Sequence, residues 1–338
     1  MIKTKIIATL GPTSSSETVL RKMIQNGLDI VRLNFSHGSY EEHKERIEIV
    51  RTLNRKMRRA IKIMADLEGF RIRVGRLQKP LPLNKNTRFY LTQAPDGGDE
   101  KEIPFDYHGP LDYIKKGTNI YVDDGKIVLQ VESLELKRLK VKVIIGGELK
   151  SRKGVNIPEV EFDFSGLTVK DKEDIEFAVV NRVDYIAQSF VRNGQDIRDV
   201  RNIVARRLPE CRFVAKVENP MALKNIEDII AESDAVMVAR GDLGISVPIY
   251  QVPMIQKVLV KQCIAAGKPV IVATQMMESM TEERIPTRAE VSDVANAILD
   301  GATHLMLSAE TAVGKHPHLV VEMMNRVMSY TEAFQWKS

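Results

Sequence analysis

The residues of this sequence best suited to chemistry are two carboxylates and two cations beside short apolar runs. Glu218 and Asp242 follow neighbouring runs, and two carboxylates completed by water and substrate oxygens are how proteins usually hold Mg²⁺. Lys216 ends an apolar run, where a site role is favoured over a buried structural ion pair. The guanidinium fork of Arg32 suits a phosphate. These residue types indicate an anionic, phosphate-bearing substrate beside a hard divalent cation.

Ordinary structural explanations compete with this one. A carboxylate can cap a helix or form a surface salt bridge, and Asp242 taken alone favours that explanation. The combination of Glu218 and Asp242 on adjacent strand ends favours a metal pair instead. Gly241 adds a backbone position from which N–H groups can approach an anion at the start of a helix.

Positioning these residues requires elements whose ends converge. Before residue 70 and after residue 156, short apolar runs alternate with helical periodicity, which predicts eight β/α units. The predicted strands are Lys5–Leu10, Asp29–Leu33, Ile61–Ala65, Asp184–Ala187, Arg212–Val217, Ala235–Val238, Pro269–Ala273 and Thr303–Leu307. Between these two regions the periodicity is two, which predicts a small all-β domain.

The length of the β/α regions favours one architecture. Without residues 70–156, 251 residues remain, and a (β/α)₈ barrel needs ~250. We therefore expect an α/β protein: a (β/α)₈ TIM barrel of residues 1–69 and 157–338, including a terminal helix, with a β domain of residues 70–156 inserted after strand 3. An open doubly wound sheet is the alternative, weakened by the lack of a Gly-rich turn after the first strand. The active site of such a barrel lies at the C-terminal strand ends.

Composition excludes several classes of protein. The 338 residues carry a net charge of +5 with both signs interspersed, and contain two cysteines, Cys211 and Cys263, in no CxxC pair. No apolar run is long enough for a membrane span and the N-terminus lacks a signal-like apolar region. The basic runs at 55–59 and 137–140 lack interleaved aromatic residues, so a nucleic-acid stacking surface is not indicated. We expect a cytoplasmic protein with no nucleic-acid or membrane partner.

Several long motifs resemble those of one known family. The chain is similar to pyruvate kinase across almost its whole length. The stretches that carry the resemblance are Lys5–Pro12, Arg32–Gly38, Ser151–Asn156, Ser189–Arg192, Lys216–Pro220, Met237–Gly244, Gly267–Met276 and Pro286–Asn296. The resemblance implies Mg²⁺- or Mn²⁺-dependent phosphoryl transfer from phosphoenolpyruvate to ADP, giving pyruvate and ATP, with the all-β domain acting as a lid.

The resemblance also implies roles for individual residues. Glu218 and Asp242 match the divalent-metal ligands, Lys216 matches the lysine on the transferring phosphoryl group, and Arg32 matches the arginine on the phosphate. Thr274, with the backbone at Gly241 and Asp242, matches the site of the pyruvate carboxylate. The residues matching the proton-delivery region are Ser308 and Glu310, and those matching nucleotide contacts are His37, Arg73 and Lys153.

The monovalent-cation site is where the sequence departs from the family pattern. Asn34, Ser36 and Asp66 match potassium ligands, but Leu67 replaces the usual threonine and Arg71 replaces the usual glutamate. Some family members that do not depend on potassium carry a cation at the position of Arg71. We therefore hypothesise that Arg71 substitutes for K⁺ and that K⁺ is not required.

Two further expectations follow from the resemblance. The chain ends one helix after the eighth predicted strand, so we expect a short form lacking the C-terminal effector domain and its effector site. A homo-oligomer would form through the barrel faces. Two alternative functions stay open: a metal-dependent lyase or aldolase acting through a pyruvate enolate, and a catalytically silent protein that binds phosphorylated ligands.

Overall fold

The computed structural model describes residues 4–93, 96–99, 101–107, 109–123, 125–158, 160 and 167–335. The chain divides into two compact units. The first comprises Met1–Gly69, Gly166–Gly241 and Tyr250–Ser338, and the second comprises Phe70–Ser165 and Asp242–Ile249.

Eight parallel strands of the first unit close into a barrel, which confirms the predicted fold class. Each strand pairs with its neighbours in chain order, and the eighth pairs with the first. Barrel strands 1 to 8 are Lys5–Thr9, Leu28–Asn34, Lys62–Asp66, Tyr185–Gln188, Arg212–Val217, Ala235–Ala239, Val270–Ala273 and His304–Leu307. Strands of such a barrel are buried on both faces, which is why they read as continuous apolar runs. The barrel interior contains Ile7, Met64, Val214, Met237 and Met306, among others.

Helices separate the barrel strands, and several begin at a capping box that the sequence can specify locally. Thr287 and Glu290 form such a box at the start of helix Arg288–Asp300. The helices are Glu17–Gln25, Tyr40–Met57, Val169–Val180, Gly194–Val204, Pro220–Lys224, Ile226–Glu232, Arg240–Ser246, Val252–Ala265, Arg288–Asp300, Ala309–Ala312 and Pro317–Gln335. Short 3₁₀ turns are Leu111–Tyr113, Ile249–Gln251 and Glu278–Thr281. None of the helices in the described ranges is long and apolar enough to cross a membrane.

One predicted helix needs correction, and one observed helix has no counterpart among the predicted ones. The sequence predicts one helix over 222–231, but the structure breaks it at Asn225, whose side chain donates to the Arg192 carbonyl oxygen at 2.9 Å. The helix Arg240–Ser246 has no periodic signal, since its two glycines have low helix propensity and it is only seven residues long.

The second unit is built on a seven-stranded sheet with one buried face. Its strand order is Ile72–Arg73, Gly154–Asn156, Asn119–Val122, Ile127–Glu135, Arg138–Ile145, Arg88–Thr92 and Glu102–Pro104. Two short ladders pair Leu81–Leu83 with Gly147–Leu149 and Arg76–Leu77 with Asp96–Gly98. Leu139, Val141 and Val143 are fully buried while alternate residues are partly exposed, which is the period of a half-buried strand.

One barrel carboxylate holds both segments that flank residues 70–165. Asp171 Oδ1 accepts the Gly69 N–H at 3.0 Å. Asp171 Oδ2 accepts the Thr168 hydroxyl at 2.7 Å and the Thr168 N–H at 3.1 Å. The two barrel segments that flank residues 70–165 are therefore bound to a single side chain.

Candidate active site

A buried lysine organises the C-terminal edge of the barrel between strands 3 and 5. Lys216 Nζ donates to Ser189 Oγ at 2.6 Å and lies 3.1 Å from both Asp66 Oδ1 and Glu218 Oε1. Only 10% of the Lys216 side chain and 1% of each carboxylate side chain are exposed. The sequence favours a site role for Lys216 over a buried ion pair, but the structure does contain the ion pair, with two buried carboxylates. The site role of Lys216 stays a prediction.

Arg32 from barrel strand 2 completes the cluster. Its Nε donates to Asp66 Oδ2 at 2.5 Å, and its Nη1 donates to Thr9 Oγ1 at 2.9 Å. Asp66 thus bridges Arg32 and Lys216 through its two oxygens. Burial alone would raise the pKa of Asp66, but the charges of Lys216 and Arg32 outweigh it and hold the pKa below its usual range.

Glu218 is fixed by the backbone as well as by Lys216. Its Oε2 accepts the Phe190 N–H at 2.7 Å. Phe190 has φ of +54°, a region that residues with a β-carbon rarely adopt. Asn219, which follows Glu218 in the chain, caps helix Pro220–Lys224. Glu218 therefore connects the end of strand 5 to the residues that follow strand 4.

Ser189 and Thr9 are the residues of this cluster that sequence reasoning missed. Ser189 receives the Lys216 hydrogen bond and donates its own hydroxyl to the Leu67 carbonyl oxygen at 2.7 Å. A signal was present, because each hydroxyl lies at the C-terminal end of a barrel strand. Serine and threonine are common enough at such places that this position alone predicts no role.

The other side of the barrel edge is held by hydrogen bonds to backbone. Thr274 Oγ1 accepts the Gly241 N–H at 2.9 Å. Glu310 is fully buried, and its two oxygens accept the Met277 N–H at 3.2 Å and the Ser308 N–H at 2.6 Å. Glu310 therefore joins the segments after strands 7 and 8. The Ser308 hydroxyl oxygen beside it is buried and has no hydrogen-bond partner among the residues that the structure describes.

The residues after strand 2 form a local turn. Asn34 Oδ1 accepts the Ser36 N–H at 3.2 Å. His37 is exposed, and its carbonyl oxygen lies 3.0 Å from His43 Nε2. Burial and the nearby Arg46 lower the pKa of His43 to about 4. The imidazole is therefore neutral near pH 7, and Nε2–H donates to the His37 carbonyl.

The remaining predicted residues belong to the second unit. Arg71 Nη2 lies 3.3 Å from Asp242 Oδ1, with both side chains about a quarter exposed. Arg73 donates to the Arg152 carbonyl oxygen at 3.1 Å. Lys153 Nζ lies 2.8 Å from Asp123 Oδ1.

Clusters of three or more metal-ligating side chains are absent from the residues that the structure describes. No group of three or more histidine, cysteine, aspartate or glutamate side chains within the described ranges could hold a metal ion.

Cys211 and Cys263 are both buried, and burial raises the pKa of each thiol to about 12. Both cysteines are thus core residues.

Comparison with known proteins agrees with the fold. The family model described as pyruvate kinase, barrel domain, matches residues 1–321. A pyruvate kinase of Thermococcus litoralis is 44% identical over 98% of this chain and 70% of its own length. Pyruvate kinases of Staphylococcus epidermidis and Staphylococcus aureus are each 41% identical over 99% of this chain. The chain spans 58% of the length of these staphylococcal relatives. From the matched barrel and these identities, the chain belongs to the pyruvate kinase family.

Proposed function

We propose that this protein transfers the phosphoryl group of phosphoenolpyruvate to ADP, giving pyruvate and ATP. The observation that carries the proposal is the Lys216 cluster, in which one ammonium group is held by Ser189, Asp66 and Glu218. A transferring phosphoryl group has little covalent chemistry for a protein to assist, so positioning and charge stabilisation dominate catalysis.

The energetics of the cluster support a functional role. Burying two cations and two carboxylates costs several kcal/mol of desolvation per ion, and such groups are often replaceable by apolar residues without loss of stability. Arg32, Asp66, Lys216 and Glu218 are all at most 8% exposed. Perturbed, paired charges at a strand-end cleft are typical of functional sites.

The resemblance to the family implies individual roles, which are part of the proposal. Arg32 binds the phosphate of the substrate, and Lys216 stabilises charge on the transferring phosphoryl group and on the enolate oxygen. Thr274, Gly241 and the backbone at Asp242 bind the substrate carboxylate. Ser308, positioned by Glu310, lies in the region that delivers the proton to the enolate carbon. The nucleotide is contacted by His37, Arg73 and Lys153.

A divalent cation fits the available donors. Glu218 and Asp242 are hard oxygen donors, and Mg²⁺ is commonly bound by one or two carboxylates together with substrate phosphate oxygens. These two residues would hold Mg²⁺ or Mn²⁺, which would neutralise phosphate charge. Glu218 already has its orientation fixed by the Phe190 N–H.

We also propose that K⁺ is not required. Arg71 Nη2 lies 3.3 Å from Asp242 Oδ1, so a fixed positive charge is already present beside this carboxylate. Arg71 would supply the positive charge that a monovalent cation contributes in relatives with the usual glutamate. Beyond the reaction itself, we expect the protein to act in the cytoplasm and to self-associate through its barrel faces.

A coupled assay tests the function directly. Pyruvate formation from phosphoenolpyruvate and ADP is measured with Mg²⁺, in parallel with metal-dependent binding of oxalate, an analogue of the pyruvate enolate. We expect turnover and oxalate binding. Oxalate binding without phosphoryl transfer would favour the lyase alternative, and the absence of both would favour a silent phospho-ligand-binding protein.

A further inference from the structure

The turn after barrel strand 7 has an unusual backbone. Thr274 and Gln275 are consecutive non-glycine residues with φ of +75° and +54°. Each such residue costs about 1–3 kcal/mol and persists only where the surrounding structure holds it. The chain must therefore contain a feature that fixes this turn.

The Arg240 side chain provides that feature. Its Nη2 donates to the Thr274 carbonyl oxygen at 2.6 Å and lies 2.9 Å from Met276 Sδ. Its Nη1 lies 2.8 and 2.7 Å from the two oxygens of Asp293. Only 14% of the Arg240 side chain is exposed. One guanidinium thus joins the end of strand 6, the turn after strand 7 and the helix Arg288–Asp300.

The residue after Arg240 also binds the turn, through the Thr274 hydroxyl. The Gly241 N–H, one residue after Arg240, donates to Thr274 Oγ1 at 2.9 Å. Arg240 therefore fixes the Thr274 carbonyl through its side chain and the Thr274 hydroxyl through the next peptide. A lysine cannot reproduce this geometry, because it lacks the planar fork that binds two acceptors at once.

We propose that Arg240 and Asp293 are positioning residues that hold Thr274 and the Gly241 N–H in the geometry that binds the substrate carboxylate. The identity of the substrate rests on the proposed function, whereas the clamp is a property of the fold. Asp293 acts by orienting the guanidinium, through the contacts of its two oxygens with Arg240 Nη1.

The test compares Asp293→Asn and Arg240→Lys with a matched control. Glu176→Gln breaks another arginine–carboxylate bridge of the same unit, to Arg207 at 2.5 and 2.9 Å. Steady-state kinetics give KM for phosphoenolpyruvate, KM for ADP and kcat. Amide hydrogen exchange, read by NMR, reports the Gly241 N–H.

Loss of a hydrogen bond to a charged group corresponds to about tenfold or more in an equilibrium constant. We therefore expect Asp293→Asn to raise KM for phosphoenolpyruvate about tenfold while KM for ADP changes less than twofold, and Arg240→Lys to have a larger effect. Gly241 exchange should accelerate about tenfold in both variants and stay at the wild-type rate in Glu176→Gln.

Opposite results would overturn the proposal. Unchanged Gly241 protection in both variants would show that the clamp does not hold the turn. Equal rises in both KM values, with Gly241 exchange matching that of Glu176→Gln, would reduce Arg240 to a general structural role. Faster exchange in a protein without turnover would support the clamp and contradict the proposed function. Arg240→Lys keeps the positive charge, so it serves where Asp293→Asn does not fold.

Discussion

The two sides of the barrel edge are held by different forces. Between strands 2 and 5, buried charges bind one another: Arg32, Asp66, Lys216 and Glu218 alternate in sign. Between strands 6 and 8, most contacts join side chains to backbone groups, as Glu310 does with two N–H groups, and the charge pair of Arg240 and Asp293 supports them. The charges between strands 2 and 5 provide a strong electric field for a reacting phosphate. The contacts between strands 6 and 8 fix the conformation of the backbone at the barrel edge. We expect loss of charge to affect turnover, and loss of a backbone contact to affect binding.

The largest effect should come from removing the central ammonium. Lys216→Met should lower kcat about 10³-fold, at the upper end of what one preorganised donor contributes. It should also reduce the free energy of unfolding by about 3–5 kcal/mol, because two buried carboxylates lose a shared cation. The coupled assay and urea unfolding measure the two effects.

Lys216→Arg separates charge from geometry. Compared with Lys216→Met, this variant should recover most of the free energy of unfolding but little of the turnover. If the turnover of Lys216→Met stays within tenfold of the wild-type value, the charged cluster between strands 2 and 5 does not have a central role in catalysis.

The next effect tests whether turnover requires a monovalent cation. Wild-type turnover should be the same with K⁺ or Na⁺. Arg71→Glu reverses a charge that lies 3.3 Å from Asp242, so turnover without K⁺ should fall at least ~tenfold, the effect of roughly 1.4 kcal/mol. Added K⁺ should restore it, as the coupled assay in paired salts would show. Arg76→Glu, an exposed position of the same unit, is the control for charge reversal. Strong K⁺ activation of the wild type would contradict the hypothesis.

A smaller effect is expected on the backbone-bound side. Glu310→Gln keeps one carbonyl acceptor and loses the charge, so kcat/KM should fall about tenfold, as for one hydrogen bond to a charged group. Most of the loss should be in KM for phosphoenolpyruvate. A fall in kcat as large as that of Lys216→Met would break the distinction between the two sides.

The smallest effect concerns acid stability. A carboxylate whose pKa is lowered on folding stabilises the protein above its unfolded pKa of ~3.9 and loses that contribution as the pH falls through the folded value. Asp66 has such a lowered pKa. The free energy of unfolding should therefore fall below about pH 4, with a shallower slope in Asp66→Asn. An unchanged slope in Asp66→Asn, measured by urea unfolding across pH, would show that other carboxylates control acid unfolding.

The sequence specifies the barrel better than it specifies the contacts at the barrel edge. Strand Arg212–Val217 is predicted to the residue, since a buried parallel strand is a local apolar run. The positive φ of Thr274 has no such signal, because it depends on Arg240 and Asp293, both far away in sequence. The Lys216–Ser189 contact likewise joins residues 27 apart. Residue type and strand position indicate which polar groups follow the strands, but not which groups bind each other.

The binding of Gly69 and Thr168 to Asp171 has a consequence for how the chain folds. Barrel strands 3 and 4 are neighbours, yet about a hundred residues separate them. Closing a flexible loop of that length costs only about 2 kcal/mol more than closing one of ten residues, since loop entropy grows with the logarithm of length. If residues 70–165 fold first, Gly69 and Thr168 are already close when they bind Asp171, and even this difference in loop entropy disappears. A barrel organised in this way can accept inserted domains of very different size with little change in its own rate of assembly.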